Sequence, residues 1–364
     1  MLPLYVVALG GNATLVGLVV AAFSAPSVLL RPFIGRWVDE WSRRSVYLAG
    51  TIAICLAGFL YLIPSFIGVF LTRVVHGTGW AAFNTGGGTI LADLAPASRR
   101  GEAAGIYNLM PGVANMAMPT AGLMLLTAGG FGASFLAAGT FGLMAVALLW
   151  LGPLGKQAGH VGAATRRRWA DLLERSALLP MTFEFLFALT STLFWVYPPL
   201  FARAMNIPLE ALAGYYVPVG VAVVVARLAL GRMLDRVSRR SALLAGAASI
   251  AAALGVASLA TNIPVLAVAG VLFAVASSLV TPAAMALAIE RSPDGRRGSA
   301  IATYSLGYQL AVGSGGLLWG TAIDVFGFPA PYLLALVSPL ALVALVIFAR
   351  RTLAAGAAGE LTTG

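Results

Sequence analysis

The chain has 364 residues, of which 60% are hydrophobic and only 10% are charged, and its formal net charge is +10. Because soluble domains carry about 25% charged residues, this composition excludes a soluble globular protein. Two histidines and the single cysteine, Cys55, are too few for a disulfide framework or a metal cluster, so we expect no cofactor and no metal.

Eleven apolar segments follow one another along the chain, each near the length of about 20 residues that a helix needs to cross a membrane. Because backbone groups in hydrocarbon must be satisfied within their own segment, we predict an all-α polytopic membrane protein. The predicted spans are 14–34, 46–64, 66–92, 103–128, 131–152, 181–202, 210–230, 242–260, 264–288, 299–320 and 330–349.

The basic residues predict the orientation of these spans. Most of the 23 lysines and arginines fall in alternate loops and at the C-terminus, whereas the opposite loops hold only Arg203. By the positive-inside rule the basic loops and the C-terminus lie in the cytoplasm, so we expect a multi-pass protein of a bacterial cytoplasmic (inner) membrane. The net charge is then a topology signal, and we expect no nucleic-acid partner.

The stretch 154–180 is the longest polar segment and predicts a cytoplasmic linker between two halves. The halves are an N-terminal bundle at 1–153 and a C-terminal six-helix bundle at 181–350, followed by a cytoplasmic tail at 351–364. Residues 166–179 have helix-like spacing with a basic face. This part of the linker either lies on the anionic lipid surface or is a solvated tether.

A charged motif of the first half recurs in the second half. Gly35-Arg-Trp-Val-Asp39-Glu-Trp-Ser-Arg43-Arg44 reappears 196 residues later as Gly231-Arg-Met-Leu-Asp235-Arg-Val-Ser-Arg239-Arg240. Further pairs recur 197 residues apart, namely Asp93 with Glu290, Pro96 with Pro293, Arg100 with Arg297, Gly101 with Gly298 and Tyr107 with Tyr304. Agreement in this order indicates two duplicated helical halves, which is the architecture of carriers that rock one half against the other.

These motifs resemble the major facilitator superfamily, and within it the drug and small-solute efflux branches. The loop after the family's second helix reads Gly-x-Leu-x-Asp-Arg-x-Gly-Arg-Arg/Lys. Gly35, Asp39, Arg43 and Arg44 match this loop, and the second copy matches it as well. The departures are Trp37, Glu40 and Ser42. The resemblance covers the whole chain and implies two pseudo-symmetric bundles with a substrate site between them.

The family normally has twelve spans, one more than we count. At the offset of 196, residues 1–5 align with 197–201, which close the helix that begins near Met181. Residues 181–196 then have no counterpart in the first half. We therefore expect the chain to begin at the exit of the family's first helix, through either a late start assignment or a real truncation.

The charged loops predict a cytoplasmic latch between helix ends. A carboxylate at a membrane edge can face the N-terminus of a neighbouring helix, and a glycine lets helix ends approach closely. Arg43 or Arg44 can reach Asp93 at the end of another helix, and Arg239 or Arg240 can reach Glu290 in the same way. The resemblance implies that such ion pairs hold the cytoplasmic side shut, whereas the simpler alternative is a positive-inside anchor. The predicted latch residues are Gly35, Asp39, Arg43, Arg44 and Asp93, and in the second half Gly231, Asp235, Arg239, Arg240 and Glu290.

Three ionisable residues lie inside predicted spans and are candidates for coupling. Arg73-Val-Val-His76-Gly77 resembles the family's fourth-helix motif, which implies proton coupling or substrate contact for Arg73; the alternative is a buried structural pair. His76 either titrates near neutral pH or is a neutral hydrogen-bonding histidine. Glu184, a carboxylate well within an apolar run, either loads and releases a proton or snorkels to water.

The fifth helix of the family's antiporters carries Gly-x-x-x-Gly-Pro-x-x-Gly-Gly, of which Pro119 and Gly122 remain and predict a helix bend. Aromatic and polar side chains can line a central cavity. They suit an amphipathic organic solute better than an inorganic ion. These candidates are Asn108, Asn115, Trp195, Tyr197, Ser277, Tyr304, Tyr308 and Gln309.

We therefore predict a secondary active transporter that moves a small organic solute by alternating access, through proton-coupled efflux. An uptake carrier of the same fold and a truncated, transport-dead form are the alternatives. An enzyme is not expected, because the sequence contains no nucleophile–base constellation. The expected partners are the solute, protons and the lipid bilayer, and we expect a monomer.

Overall fold

The computed structural model describes residues 1–40, 42–94, 100–152, 173–234, 237–293 and 296–349. Within these ranges the side chains at 32, 36, 39, 40, 92, 93, 100–113, 115, 116, 231–234, 297 and 298 lie outside the description. The described chain consists of helices joined by short connections. This architecture confirms the predicted all-α membrane fold.

In the described residues, six helices build the first half and eight build the second. The first set is α1 (Leu2–Ala8), α2 (Ala13–Leu29), α3 (Arg31–Glu40), α4 (Arg43–Leu60), α5 (Phe66–Leu94) and α6 (Arg100–Leu151). The second set is α7 (Leu178–Trp195), α8 (Pro198–Ala204), α9 (Ala213–Leu234), α10 (Arg239–Ser258), α11 (Ile263–Glu290), α12 (Arg297–Phe326), α13 (Ala330–Leu334) and α14 (Val337–Phe348). Short 3-10 turns at Arg175–Ala177 and Leu209–Leu212 precede α7 and α9.

The two halves begin their helices at matched positions. The seven residues of α1 and the seven of α8 are 196 residues apart. The same offset separates the starts of α4 and α10, and each is capped by a serine, Ser42 or Ser238, whose hydroxyl accepts the N–H three residues ahead. The caps of α5 and α11 are Ser65 and Asn262, 197 residues apart. Equivalent caps start equivalent helices, as expected for a duplicated sequence.

The turns of the two halves repeat as well. Gly10 has a φ of 87° and its counterpart Asn206 one of 54°. Gly130 has a φ of 71° and its counterpart Gly327 one of 68°. A positive φ is uncommon for any residue with a side chain, so its recurrence at paired positions means that the same turn was copied with the helices. The pseudo-symmetric fold is therefore confirmed, while the exact domain boundaries stay a prediction.

Eight helices in the described ranges are long and apolar enough to cross a membrane. They are Arg43–Leu60, Phe66–Leu91, Ala117–Leu151, Arg175–Trp195, Leu209–Leu230, Arg239–Ser258, Ile263–Glu290 and Ala330–Phe348. The predicted number of eleven stays a prediction. Three of the predicted spans are each divided between two helices of the structure, namely 14–34 between α2 and α3, 181–202 between α7 and α8, and 330–349 between α13 and α14. The predicted spans 103–128 and 131–152 lie in one element, α6, whose backbone leaves helical angles between them at Gly129 and Gly130.

The halves meet most closely where α2 packs along α12. A side-chain carbon added at Gly17 would lie only 2.8 Å from the Cα of Leu317, and one added at Gly316 would lie 2.9 Å from the Cβ of Val20. Small residues therefore let the two backbones approach each other directly, as in many membrane helix pairs. The Tyr197 hydroxyl also donates a hydrogen bond to the carbonyl of Gly316.

Polar contacts hold this helix pair at both ends. At one end the Asp324 carboxylate of α12 accepts the N–H groups of Ala13 and Thr14 at 3.0 and 2.7 Å, and the Thr14 hydroxyl at 2.6 Å. The carboxylate thereby caps the N-terminus of α2, where the helix dipole favours a negative charge. At the other end Arg31 donates to the Ser305 hydroxyl. The contact between halves thus extends along the full length of α2.

Replacing Gly17 with alanine should destabilise the protein by about 1–3 kcal/mol, because the new Cβ overlaps the α12 backbone. The matched control is Gly255→Ala in α10, where a Cβ would meet nothing within 4 Å. There, the better helix propensity of alanine should leave the protein unchanged or stabilise it by up to about 1 kcal/mol. Thermal unfolding of both variants in detergent measures the difference, and equal shifts would contradict the close packing.

Candidate functional site

The carboxylate of Glu184 is enclosed in the second half. The residue lies in α7 and is 2% exposed. The Tyr304 hydroxyl of α12 donates to its Oε2 at 2.8 Å, and the Thr281 hydroxyl of α11 donates to its Oε1 at 3.3 Å. The snorkelling alternative is therefore not what the structure contains, because α11 and α12 surround the carboxylate with hydroxyl groups. The arrangement links three helices through one ionisable group.

Arg73 and His76 share a cluster in the first half. The Nε of Arg73 donates to the carbonyl of Val19 at 3.1 Å, and its guanidinium carbon lies 4.4 Å from the centre of the Phe23 ring. That ring also meets the His76 ring edge-on, with 5.2 Å between the centroids. The Nδ1 of His76 lies 3.2 Å from the Tyr61 hydroxyl. Phe23 therefore fits between the two basic side chains and connects α2 with α5.

No carboxylate of the residues that the structure describes pairs with Arg73. The alternative of a buried structural ion pair therefore has no support in those ranges. Instead, Arg73 borders a cavity of about 240 Å³ together with Trp195, another residue singled out from the sequence. The cavity thus joins one predicted coupling residue of the first half to one predicted cavity residue of the second.

The other predicted cavity residues are divided among several places. Tyr304 belongs to the Glu184 cluster, and Tyr197 binds the backbone at the α2–α12 contact. Tyr308 is 42% exposed, and Gln309 is 6% exposed, on the same helix. Ser277 is half-buried in α11. Asn108 and Asn115 lie outside the described side chains, so their place in a cavity stays a prediction.

The second-half latch pair is in contact. The Nη2 of Arg239 lies 2.9 Å from the Oε1 of Glu290, so the ends of α10 and α11 are joined by an ion pair. Both side chains are about a third exposed, and such a pair is worth about 0.2–1 kcal/mol. Arg240 is exposed. A latching role for this pair remains a prediction, since contact alone does not establish it.

The first-half latch is only partly within the described side chains. Arg44 donates to the carbonyls of Leu149 and Trp150 at 3.3 and 3.1 Å, and so caps the C-terminus of α6. Arg43 begins α4. The predicted latch positions outside the described side chains are Asp39, Asp93, Gly231 and Asp235.

The close packing predicted at Gly35 has no partner among the described residues. A Cβ there would meet nothing within 4 Å, so the helix end does not press against a described neighbour. The backbone of α6 stays helical at Pro119 and Gly122, and it leaves helical angles at Gly129 and Gly130 instead. A bend at Pro119 stays a prediction.

Two carboxylates that sequence reasoning did not select tie separate segments together. Asp324 caps α2, and it borders a second cavity of about 400 Å³ with Arg203. The repeat gave no signal for it, because its counterpart 197 residues earlier is Thr127. Glu174 fixes the segment that leads into α7. It was not selected because residues 154–180 were interpreted as a linker.

Glu174 is buried and holds the 3-10 turn before α7 against α12. Its Oε1 accepts from the N–H and hydroxyl of Ser176 at 3.3 and 3.1 Å, and its own N–H donates to the Thr303 hydroxyl at 2.8 Å. The Nε of Arg296 lies 2.8 Å from its Oε2. The Ser176 N–H and hydroxyl, and after them the Arg296 charge, outweigh burial and hold the pKa of the Glu174 carboxyl below its usual range.

This turn should therefore lose its order in acid. Because the folded pKa of Glu174 is depressed, its contribution is present above the ordinary glutamate pKa and disappears as the pH falls through the lower, folded value. Hydrogen-exchange protection of Ser176 and Ala177 should fall over that range. Glu174→Ala should abolish the protection at pH 7, whereas Glu210→Ala, at an exposed glutamate, should not. Protection that persists in Glu174→Ala would contradict the role of the carboxylate.

Comparison with known sequences places these sites in a family context. The family model described as Major Facilitator Superfamily matches residues 1–257 and 219–361. "Multidrug resistance protein 2" of Bacillus subtilis (strain 168) is 26% identical over 125 residues, which are 34% of this chain and 30% of that protein. A "Quinolone resistance protein" of Staphylococcus aureus is 26% identical over 103 residues, 28% of this chain and 26% of that protein. Each match thus spans less than a third of the relative's length.

The fold itself resembles a solved transporter over nearly its whole length. The crystal structure of a D-xylose-proton symporter superposes with a TM-score of 0.77 at 15% sequence identity. The likeness covers 92% of this chain and 87% of that one. At this identity the superposition speaks for the arrangement of helices and not for the solute.

Proposed function

Because the chain belongs to the major facilitator superfamily, we propose that it exports a small organic solute in exchange for protons. The family is one of membrane transporters, so an enzymatic activity is not part of the proposal. The resemblance to proteins named for multidrug and quinolone resistance favours export over uptake. We also infer a bacterial inner-membrane location, a cytoplasmic C-terminus, halves at 1–153 and 181–350, and a monomeric protein.

The observation that carries the proposal is the enclosed carboxylate of Glu184. A carboxylate inside a membrane protein is costly to keep charged, and it is a functional candidate for that reason. When ionised, Glu184 accepts from Tyr304 and Thr281; when protonated, it also becomes a donor and must rearrange these bonds. Loading or releasing one proton therefore alters how α7, α11 and α12 are held together.

This change can reach the other half through α12. Tyr304 and Ser305 are neighbours in that helix, and Ser305 accepts from Arg31 of the first half. A proton at Glu184 thus acts next to a contact that must shift when the halves rock. One proton moving down 100 mV yields about 2.3 kcal/mol, equivalent to roughly a 50-fold solute gradient.

The two ends of the molecule supply the contacts that alternate. Asp324 holds α12 to α2 at one end, whereas Arg31, at the start of α3, donates to Ser305 of α12 at the other. Alternating access requires that these contacts break in turn, while the glycine-packed middle of the interface acts as the pivot. A solute or a proton shifts the equilibrium between the two open states only by the difference between its binding free energies in them.

Glu184→Gln should abolish proton-coupled transport, because the amide cannot release a proton. The assay uses inverted membrane vesicles acidified by respiration, with acridine orange reporting the pH gradient and a panel of organic anions, cations and neutral compounds added in turn. Wild-type vesicles should lose part of the gradient when a transported compound is added, and Glu184→Gln vesicles should not. Glu210→Gln is the matched control at an exposed glutamate.

The directions of flux separate the alternatives in this assay. Export appears as compound entering the inverted vesicles while protons leave. Compound leaving preloaded vesicles together with protons would instead identify an uptake carrier. Equal dissipation by wild type and Glu184→Gln would reject this residue as the coupling group, and no response by wild type to any compound would reject proton-coupled export.

The Arg239–Glu290 pair tests the latch in the second half. Arg239→Glu and Glu290→Arg should each reduce transport severalfold, because each places like charges opposite one another at the ends of α10 and α11. The double variant, with the charges exchanged, should recover most of the activity. Glu210→Arg is the control, at an exposed glutamate outside the predicted latch. If the double variant is no better than either single one, the pair does not act as a latch.

A further inference from the structure

The cavity beside Arg73 is built from both halves. It lies where α1, α2, α5 and α7 meet, and its volume is about 240 Å³. Among its lining residues Arg73 has the only charged side chain, and Trp195 the only aromatic one. The remaining lining is aliphatic and includes Val6, Val16 and Val20. The cavity is therefore apolar apart from the corner at Arg73, its only charged side chain.

Arg73 has donors to spare for a ligand in that corner. Its described contacts occupy Nε, which donates to Val19, and one face of the guanidinium, which lies over Phe23. Tyr61 is a further polar neighbour. A guanidinium carries five N–H donors, so several on its terminal nitrogens remain after these contacts. None of the carboxylates in the described ranges neutralises its charge.

Arg73 lies about 10 Å along α5 from the start of that helix, and a cation at such depth in a membrane helix needs a counter-charge or water. A carboxylate ligand supplies both the missing charge and a planar pair of acceptors that fits the guanidinium in a bidentate manner. The valines and Trp195 then receive the apolar part of the same molecule. We propose that this cavity binds a small organic anion, a monocarboxylate with a compact aromatic or aliphatic body, as the transported solute; this rests on the proposed transport function.

The size of the cavity sets the size of the anion. Pockets for drug-sized ligands measure about 300–1,000 Å³, and this cavity of about 240 Å³ is smaller. An inorganic anion would leave the apolar walls without contact, and a drug-sized molecule would not fit without opening the halves. A compact monocarboxylate satisfies both the charge and the walls.

The anion site is separate from the carboxylate proposed for coupling. Trp195 and Glu184 lie eleven positions apart in α7, a distance of about 16 Å along the helix. Substitutions beside Arg73 therefore leave the Glu184 cluster in place. Binding of the anion and coupling to protons can be measured independently.

The test is equilibrium binding by titration calorimetry on the full chain in detergent, with benzoate and cyclohexanecarboxylate as probes. Their uncharged amides, benzamide and cyclohexanecarboxamide, are the matched ligands. The affinity tag is placed at the C-terminus, because Met1 lines the cavity. The Arg73 variants below separate the contribution of the guanidinium from that of the Met1 amino group. Each carboxylate should bind at least about tenfold more tightly than its amide, as expected for a charge-assisted pair.

Three variants assign the binding to Arg73. Arg73→Gln should weaken benzoate binding at least about tenfold, and Arg73→Lys should retain part of the affinity as a point charge. Leu2→Glu adds a carboxylate to the same lining with Arg73 intact, and should weaken binding, whereas Leu2→Gln should not. Arg203→Gln, at the arginine of the other cavity, should bind benzoate like wild type. Thermal unfolding curves confirm that each variant is folded.

The outcomes separate this inference from the proposed function. Amides that bind as well as the carboxylates, or unchanged affinity in folded Arg73→Gln and Leu2→Glu, would overturn the anion site, as would the absence of binding by any carboxylate. If a neutral or cationic compound alone dissipates the proton gradient in vesicles, the anion site fails while export stands. If benzoate binds through Arg73 but no compound dissipates the gradient, proton-coupled export fails and the anion site stands.

Discussion

The architecture depends on the direct contact between the backbones of α2 and α12. Gly17 and Gly316 leave no side chain between the helices, so each helix positions the other within narrow limits. In hydrocarbon such a contact gains little from water exclusion and is held by packing and by polar groups. The groups at its ends, Asp324 and Arg31, are placed by this contact and depend on it.

The functional clusters sit on either side of that contact. Phe23, one face of the Arg73 and His76 cluster, belongs to α2, and Tyr304, a partner of Glu184, belongs to α12. In each half, the ionisable group therefore contacts the helix that also packs against the other half: Arg73 contacts α2, and Glu184 contacts α12. Under the proposed function, a change in charge at either cluster would act on the interface without a long chain of intermediates.

Much of this fold was predictable, because it follows from the lengths of the apolar segments and from the internal repeat of the sequence. Long apolar runs predicted the helices, and the repeat predicted their correspondence. The boundary predicted between residues 128 and 131 coincides with the non-helical backbone at Gly129 and Gly130. Ser42 and Ser238 are capping residues by type and lie at matched starts. These features are local, so a single sequence carries them.

The partners across space were harder to predict. Nothing in the sequence joins Asp324 to the start of α2, more than 300 residues away in the chain, and the repeat pairs it with a threonine. Arg44 was expected to seek a carboxylate, yet its described bonds are to carbonyls at the end of α6. At Gly35, no described atom lies within 4 Å of an added Cβ, so the expected close approach finds no partner in that part of the chain. Such pairings depend on helix placement, which hydrophobic pattern does not specify.

The unequal counterparts Asp324 and Thr127 have a consequence for how two near-copies move. Asp324 reaches across to α2, whereas the Thr127 hydroxyl donates back to Leu123 and Met124 of its own helix. The α2–α12 contact between the halves is therefore capped by a carboxylate at this rim. In its described bonds the symmetry-related residue Thr127 stays within α6 and provides no equivalent cap. Two near-copies in one chain can thus have symmetry-related contacts of unequal strength, and the weaker contact then separates more easily than the stronger one.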